Sequence, residues 1–124
     1  MTWLQAPVAT ASHVIPTDRE RIYGRRFKEA IMKTYWVYMM QSENGRALYT
    51  GVTNDLDRRV REHKEGGGSV FTARYKCHKL VYFESFGLID QAIVREKKVK
   101  KLSRANKEKL IDSMNPDRID LFEQ

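Results

Sequence analysis

Short apolar runs and longer stretches of helical period alternate along this chain from Thr34 onward. Trp36-Val37-Tyr38 lies in a run that reads as a strand over residues 34–41, and Leu48-Tyr49-Thr50-Gly51-Val52 gives a second over 46–52. Asn44-Gly45 between them signals a tight hairpin, because both residues tolerate positive φ. A turn there sets Tyr38 opposite Gly51 and Met40 opposite Tyr49. Strand side chains alternate with period two, so Tyr38 and Tyr49 become near neighbours on one face. A slip of one residue would part them. A helix follows over 54–65, capped by Thr53 or Asn54, with Asp55 at its positive end. The Gly66-Gly67-Gly68-Ser69 segment and the residues after it read as a loop. Then come a strand over 79–85, a helix over 90–102 and a last helix over 106–114, capped by Ser103 or Asn106 and stopped by Pro116. The pattern predicts an α+β domain, a small three-stranded antiparallel or mixed sheet flanked by helices.

Three polar residues interrupt faces that should pack inward. Leu56, Arg59, Val60 and His63 share one side of the first helix, while Arg58 and Arg61 point elsewhere. Ile89, Ala92, Ile93, Glu96 and Val99 form the inward stripe of the second, with a carboxylate near its centre. A buried carboxylate is costly unless a cation, a partner or a proton neutralises it. A divalent metal or an arginine would do so, and both belong naturally in a site that handles phosphate.

Length and composition narrow the picture. With 124 residues, 41% hydrophobic, the chain is one domain with one modest core. No apolar run is long enough to span a membrane, the N-terminus lacks a secretory pattern, and Cys77 is the sole cysteine. These features point to a reducing, cytoplasmic setting. Cys77 and His78 lack the further ligands of a zinc site. The formal net charge is +7, and the excess is local. Arg95, Lys97, Lys98, Lys100, Lys101, Arg104, Lys107 and Lys109 face only Glu96 and Glu108 in one segment, a stripe suited to phosphates. The basic-aromatic run 70–76, with Thr72 and Arg74, suits a phosphate backbone or an unstacked base. Residues 1–33 carry no motif and are expected to form a poorly ordered extension, with Met32 a natural start before the domain at 34–122.

Together these residues resemble the GIY-YIG nuclease family over roughly 34–122. Trp36-Val37-Tyr38 stands in place of the first name motif and Tyr49-Thr50-Gly51 in place of the second. The run from Tyr49 through Arg59 to His63 looks like the family's strand-to-helix segment, Ala92–Lys101 resembles the segment with the metal-binding glutamate, and Asn115-Pro116 resembles the motif's closing asparagine. The closest likeness is to small stand-alone members, related to the N-terminal nuclease domain of the excinuclease C subunit. Trp36 replaces the first glycine and Thr50 the middle isoleucine, and Trp36 is expected to point away from Tyr49.

The resemblance implies hydrolysis of phosphodiesters in DNA with one Mg²⁺ or Mn²⁺ bound by Glu96. It also implies a site of Tyr38, Tyr49, Arg59, His63, Glu96 and Asn115. Arg59 would clamp a phosphate oxygen. Tyr49 is the candidate general base and Tyr38 the orienting phenol. A phenol ordinarily ionises near pH ~10, so the base needs a neighbouring cation or acceptor. His63 could be that acceptor or the base itself. Thr72, Arg74, Lys97, Lys98, Lys100, Lys101 and Arg104 are the expected nucleic-acid contacts. Branched, flap or single-stranded DNA, or guidance by a protein partner, suits a domain with no separate reader of sequence. The competing reading is a nucleic-acid-binding module with little or no turnover.

Overall fold

The structure, a computed structural model, describes residues 34–123; the expected extension and Met32 lie outside the described residues. Strands β1 (Tyr35–Ser42) and β2 (Leu48–Thr53) are followed by helices α1 (Leu56–Lys64) and α2 (Val70–Tyr75). Strand β3 (Cys77–Phe86), helices α3 (Ile89–Lys101) and α4 (Arg104–Asp112) and a 3₁₀ turn (Leu121–Glu123) complete the order. The sheet order is β2-β1-β3, and both pairings are antiparallel. The expected α+β class holds, with no parallel pair in the sheet. None of the helices among the described residues is long and apolar enough to cross a membrane.

The register is the one the turn signal implies: Tyr38 pairs with Gly51 and Met40 with Tyr49. The reversal itself is looser than a tight Asn-Gly hairpin. Ser42 N–H donates to Ala47 O at 3.0 Å, and only Gly45 adopts positive φ (+76°). Asn44 instead accepts from Ser42 Oγ and from Arg46 N–H with its side-chain oxygen.

Two cores sandwich the sheet. Tyr38, Met40, Leu80 and Phe83 pack with Leu56 and Val60 of α1, while Val37, Met39, Val81 and Tyr82 pack with Ala92, Val99 and Ile111 of α3 and α4. Trp36 corrects an expectation. It lies on the same face as Tyr38 and Tyr49, edge-on to Phe83 at 5.8 Å, because residues 36, 38 and 40 share one side of β1. Thr50 faces the α3 side, where its hydroxyl is buried without a hydrogen bond.

The helix ends are set by side chains. Asp55, and neither Thr53 nor Asn54, caps α1 by accepting from Arg58 N–H at 3.1 Å, and Ser103 caps α4. The segment read as a loop after Gly68 contains α2. Ser69 caps it and Lys76 ends it in the left-handed region. So short a helix, with Thr72 its one buried residue, leaves no periodic apolar stripe in the sequence.

Candidate active site

The site is built around Tyr38 at the middle of the central strand. The phenol is fully buried and lies across Gly51 on β2. A Cβ at residue 51 would stand 2.5 Å from the Tyr38 oxygen and 2.7 Å from its Cζ. The missing side chain two residues after Tyr49 is therefore what admits the Tyr38 ring. Tyr49 stands beside it, ring centroids 6.2 Å apart.

Helix α1 brings Arg59 and His63 to the same place. His63 is fully buried, its Nε2 2.8 Å from the Tyr38 hydroxyl and its Nδ1 2.9 Å from Thr72 Oγ1. Thr72 Oγ1 donates to the Ser69 carbonyl at 3.3 Å and can accept from His63 Nδ1–H. The Arg59 guanidinium lies near the Tyr38 oxygen and acts on it electrostatically. These donors and acceptors are all satisfied when Tyr38 donates to His63 Nε2. We assign that order: Tyr38 to Nε2, and Nδ1–H to Thr72. Gly68 makes room for it, since a Cβ there would meet His63 Nδ1 at 2.1 Å.

The electrostatics follow from burial. Desolvation, reinforced by the Arg59 charge, pushes the His63 pKa down to about 4, so the imidazole is neutral near pH 7. Burial first, and then the adjacent Tyr49, raise Tyr38 well above the ordinary 10, so it remains a phenol. Partial burial opposes the Arg59 charge, but the neighbouring Tyr38 and the bond to Glu62 (3.0 Å) raise its pKa on balance. Arg59 is about one-third exposed, so one side of the guanidinium reaches solvent.

Glu96 is placed differently. It sits on α3, in the layer across the sheet from α1, and is 8% exposed. Its Oε2 accepts from Lys100 Nζ at 2.8 Å. This bond, working against partial desolvation, raises the Lys100 pKa. Among the described residues Glu96 makes no hydrogen bond or ion pair with Tyr38, Tyr49, Arg59 or His63, and no three His, Cys, Asp or Glu side chains group as a metal site. A soft or imidazole-bound metal does not fit this donor set. A hard divalent cation does, because it accepts a single carboxylate with water and phosphate oxygens as its other ligands.

Several expected site residues have other duties. Asn115 is buried, its amide donating to the carbonyls of Val81 (3.1 Å) and Ile119 (2.8 Å) while its oxygen accepts from Ile119 N–H. It fastens the C-terminal segment to β3 and shares no bond with the phenols. Thr72 is fully buried behind His63 and is not a nucleic-acid contact. Arg104 donates to the Arg46 and Gly45 carbonyls (2.6 and 2.5 Å) and to Glu108, which clamps the β1–β2 reversal rather than leaving a free cation. Arg95 holds Glu84 with two nitrogens. Arg74, Lys97, Lys98 and Lys101 are exposed as expected. The parts of the site that sequence reasoning missed are Gly68 and Ser69, whose only signal was a glycine-rich run; Lys100, expected as a nucleic-acid contact, pairs with Glu96 instead.

The combination of a strand-borne tyrosine pair with an arginine and a histidine one helical turn apart defines a class. A family model of the GIY-YIG catalytic domain matches residues 34–109, and the chain belongs to that family. Within it, the chain is similar to UPF0213 proteins. One from Haloquadratum walsbyi is 37% identical over 78 residues, covering 63% of this chain and 86% of the relative. Another, from Pseudomonas aeruginosa, is 39% identical over 82 residues (66% and 78%). The solution NMR structure of a UPF0213 protein from Bacillus halodurans is 33% identical, covers 68% of this chain and 88% of that one, and has a TM-score of 0.46.

Proposed function

We propose that the protein is a metal-dependent endonuclease that hydrolyses phosphodiester bonds in DNA. The observation that carries this reading is the buried Tyr38–His63 hydrogen bond of 2.8 Å beside a partly exposed Arg59. Such a bond inside a purely structural core would be satisfied with no need of a guanidinium at its mouth.

On this reading Arg59 binds a non-bridging oxygen of the scissile phosphate and stabilises charge as it develops there. Tyr38 accepts a proton from the attacking water as its own proton passes to His63 Nε2. The oxygen–phosphorus bond to the new hydroxyl forms, and the bond to the leaving 3′ or 5′ oxygen breaks. The lowered pKa of His63 leaves its Nε2 lone pair free near pH 7, although it also makes the imidazole a weak base of low proton affinity. A phosphate on Arg59 offsets the charge that lowers this affinity, so the relay strengthens when substrate is bound. Tyr49 then has the orienting role first expected of Tyr38, because the acceptor, His63 Nε2, is hydrogen-bonded to Tyr38. A Mg²⁺ or Mn²⁺ ion held by Glu96 would supply charge stabilisation at the phosphate and leaving oxygen. Exposed Lys97, Lys98, Lys101 and Arg74 would hold the backbone on either side. With no separate reading domain among the described residues, selection by DNA structure or by a protein partner is the proposed route to specificity.

The Glu96–Lys100 ion pair favours one other reading, binding without turnover, since it neutralises the carboxylate without a metal. Labelled flap, branched and single-stranded DNA incubated with Mg²⁺ or Mn²⁺ separates the two. The nuclease reading expects cutting by the wild type that EDTA and Glu96→Ala both abolish. Binding with no cutting of any substrate would establish the other.

A further inference from the structure

An aromatic surface beside the site has no part in the reaction above. Phe71 and Tyr75 on α2 are 39% and 48% exposed, with ring centroids 4.7 Å apart. Phe71 lies 6.1 Å from Tyr49 at an interplanar angle of 32°, so rings run without a break from the phenol pair to solvent. Across a concavity of about 390 Å³ stands the β1–β2 reversal. Ser42, Asn44, Arg46 and Ala47 line one side and Phe71 and Tyr75 the other.

The polar groups of this pocket suit a flat, hydrogen-bonding ring. Asn44 uses its oxygen within the turn, and its amide nitrogen is left as a donor. The Arg46 guanidinium has no hydrogen bond or ion pair among the described residues, whereas its carbonyl anchors Arg104. Arg74 lies over the Tyr75 ring at 5.6 Å. Glu43 is the one acid in the reversal and α2 has none, so Arg46, Arg74 and Lys76 make the surroundings basic. Aromatic faces with flanking cations hold nucleobases by stacking and their phosphates by charge. A base within a duplex has both faces covered by its neighbours and cannot enter.

We propose that this pocket is a stacking subsite for one unstacked nucleobase of the strand whose phosphate lies at Tyr38 and Arg59. The inference rests on the nuclease reading and names a feature of its substrate: a base out of the stack next to the cut. Such a base comes either from a single strand or from a duplex that extrudes it at a mismatch or junction. Stacking tolerates any base, so the subsite selects strand condition rather than sequence.

Fluorescence anisotropy in EDTA tests this without requiring turnover. Short labelled oligonucleotides with bases are compared with matched abasic ones, which keep the phosphates but offer nothing to stack. The wild type is expected to bind the base-bearing strand roughly tenfold or more tightly. Tyr75→Ala with Phe71→Ala should erase that preference, and Tyr75→Trp should retain it. A thermal melt of each variant confirms that it is folded. Mismatched and fully paired duplexes form further arms. Preference for the mismatched duplex over the single strand identifies extrusion as the source, and the converse identifies a single strand. Equal affinity for base-bearing and abasic strands, an unchanged preference in the double variant, or tightest binding to the fully paired duplex would each overturn the subsite and leave the nuclease reading standing. No binding to any nucleic acid would remove both.

Discussion

Acidification should weaken this fold through His63. The imidazole is wholly enclosed, and its pKa falls from the ordinary 6.5 to about 4, through desolvation first and the Arg59 charge second. The unfolded chain therefore takes up this proton first as the pH drops. The stability present above pH 6.5 is progressively lost as pH falls toward 4, below which both states are protonated. Between pH 8 and pH 5 the linkage amounts to about 2 kcal/mol from this residue. For a urea slope of about 1 kcal/mol per molar, usual for a small domain, the midpoint should drop by about 2 M. The chain's carboxylates also titrate, so the informative quantity is a difference. Urea unfolding of wild type and His63→Gln is followed by circular dichroism from pH 8 to pH 5. The variant cannot take up this proton, and its midpoint should fall by about 2 M less than the wild type's across the same range. Parallel curves for the two proteins would show that His63 is not held neutral by burial, and the donor–acceptor order assigned to the Tyr38 relay would fall with it.

Other outcomes follow from single positions. Gly51→Ala should abolish cleavage in a folded protein, because a Cβ 2.5 Å from the Tyr38 oxygen forces that ring away from His63; normal turnover by the variant would refute the placement. Thr50→Val removes a buried hydroxyl that has no partner and should stabilise the domain by about 1 kcal/mol in urea unfolding, while a loss of stability would mean that the hydroxyl is bonded in solution. Lys97→Ala, Lys98→Ala and Lys101→Ala should each lower the salt dependence of DNA binding by about one counterion without changing structure preference; an unaltered slope places the DNA on another face.

Much of the fold was legible because local signals agreed with one another. Two strands, a turn with Gly45 and an antiparallel register follow from period-two patterning, and that register alone sets Tyr38 against Gly51. Arg59 and His63 were legible as polar residues on the inward face of α1. The side chains that serve the site from behind were not. Thr72 reads as one polar residue in a basic-aromatic run, and only the folding of α2 onto α1 reveals that it holds His63. Arg104 likewise reads as one more cation of a stripe, since its carbonyl partners at Gly45 and Arg46 are distant in sequence. Asn115 matched a motif position, and its bonds to Val81 and Ile119 give that position a structural duty. Trp36 was misassigned to the opposite face, although its spacing of two from Tyr38 was enough to place it on the same one.

The central claim is that Tyr38, backed by His63 and flanked by Arg59, acts on a phosphodiester. Single-turnover cleavage of a DNA substrate under saturating enzyme, with affinity measured on the same molecule, compares wild type with Tyr38→Phe. The variant should bind within a few-fold of the wild type and cut at least ~100-fold more slowly, the usual effect of removing a proton-transfer group. Cutting by Tyr38→Phe at the wild-type rate would contradict the account.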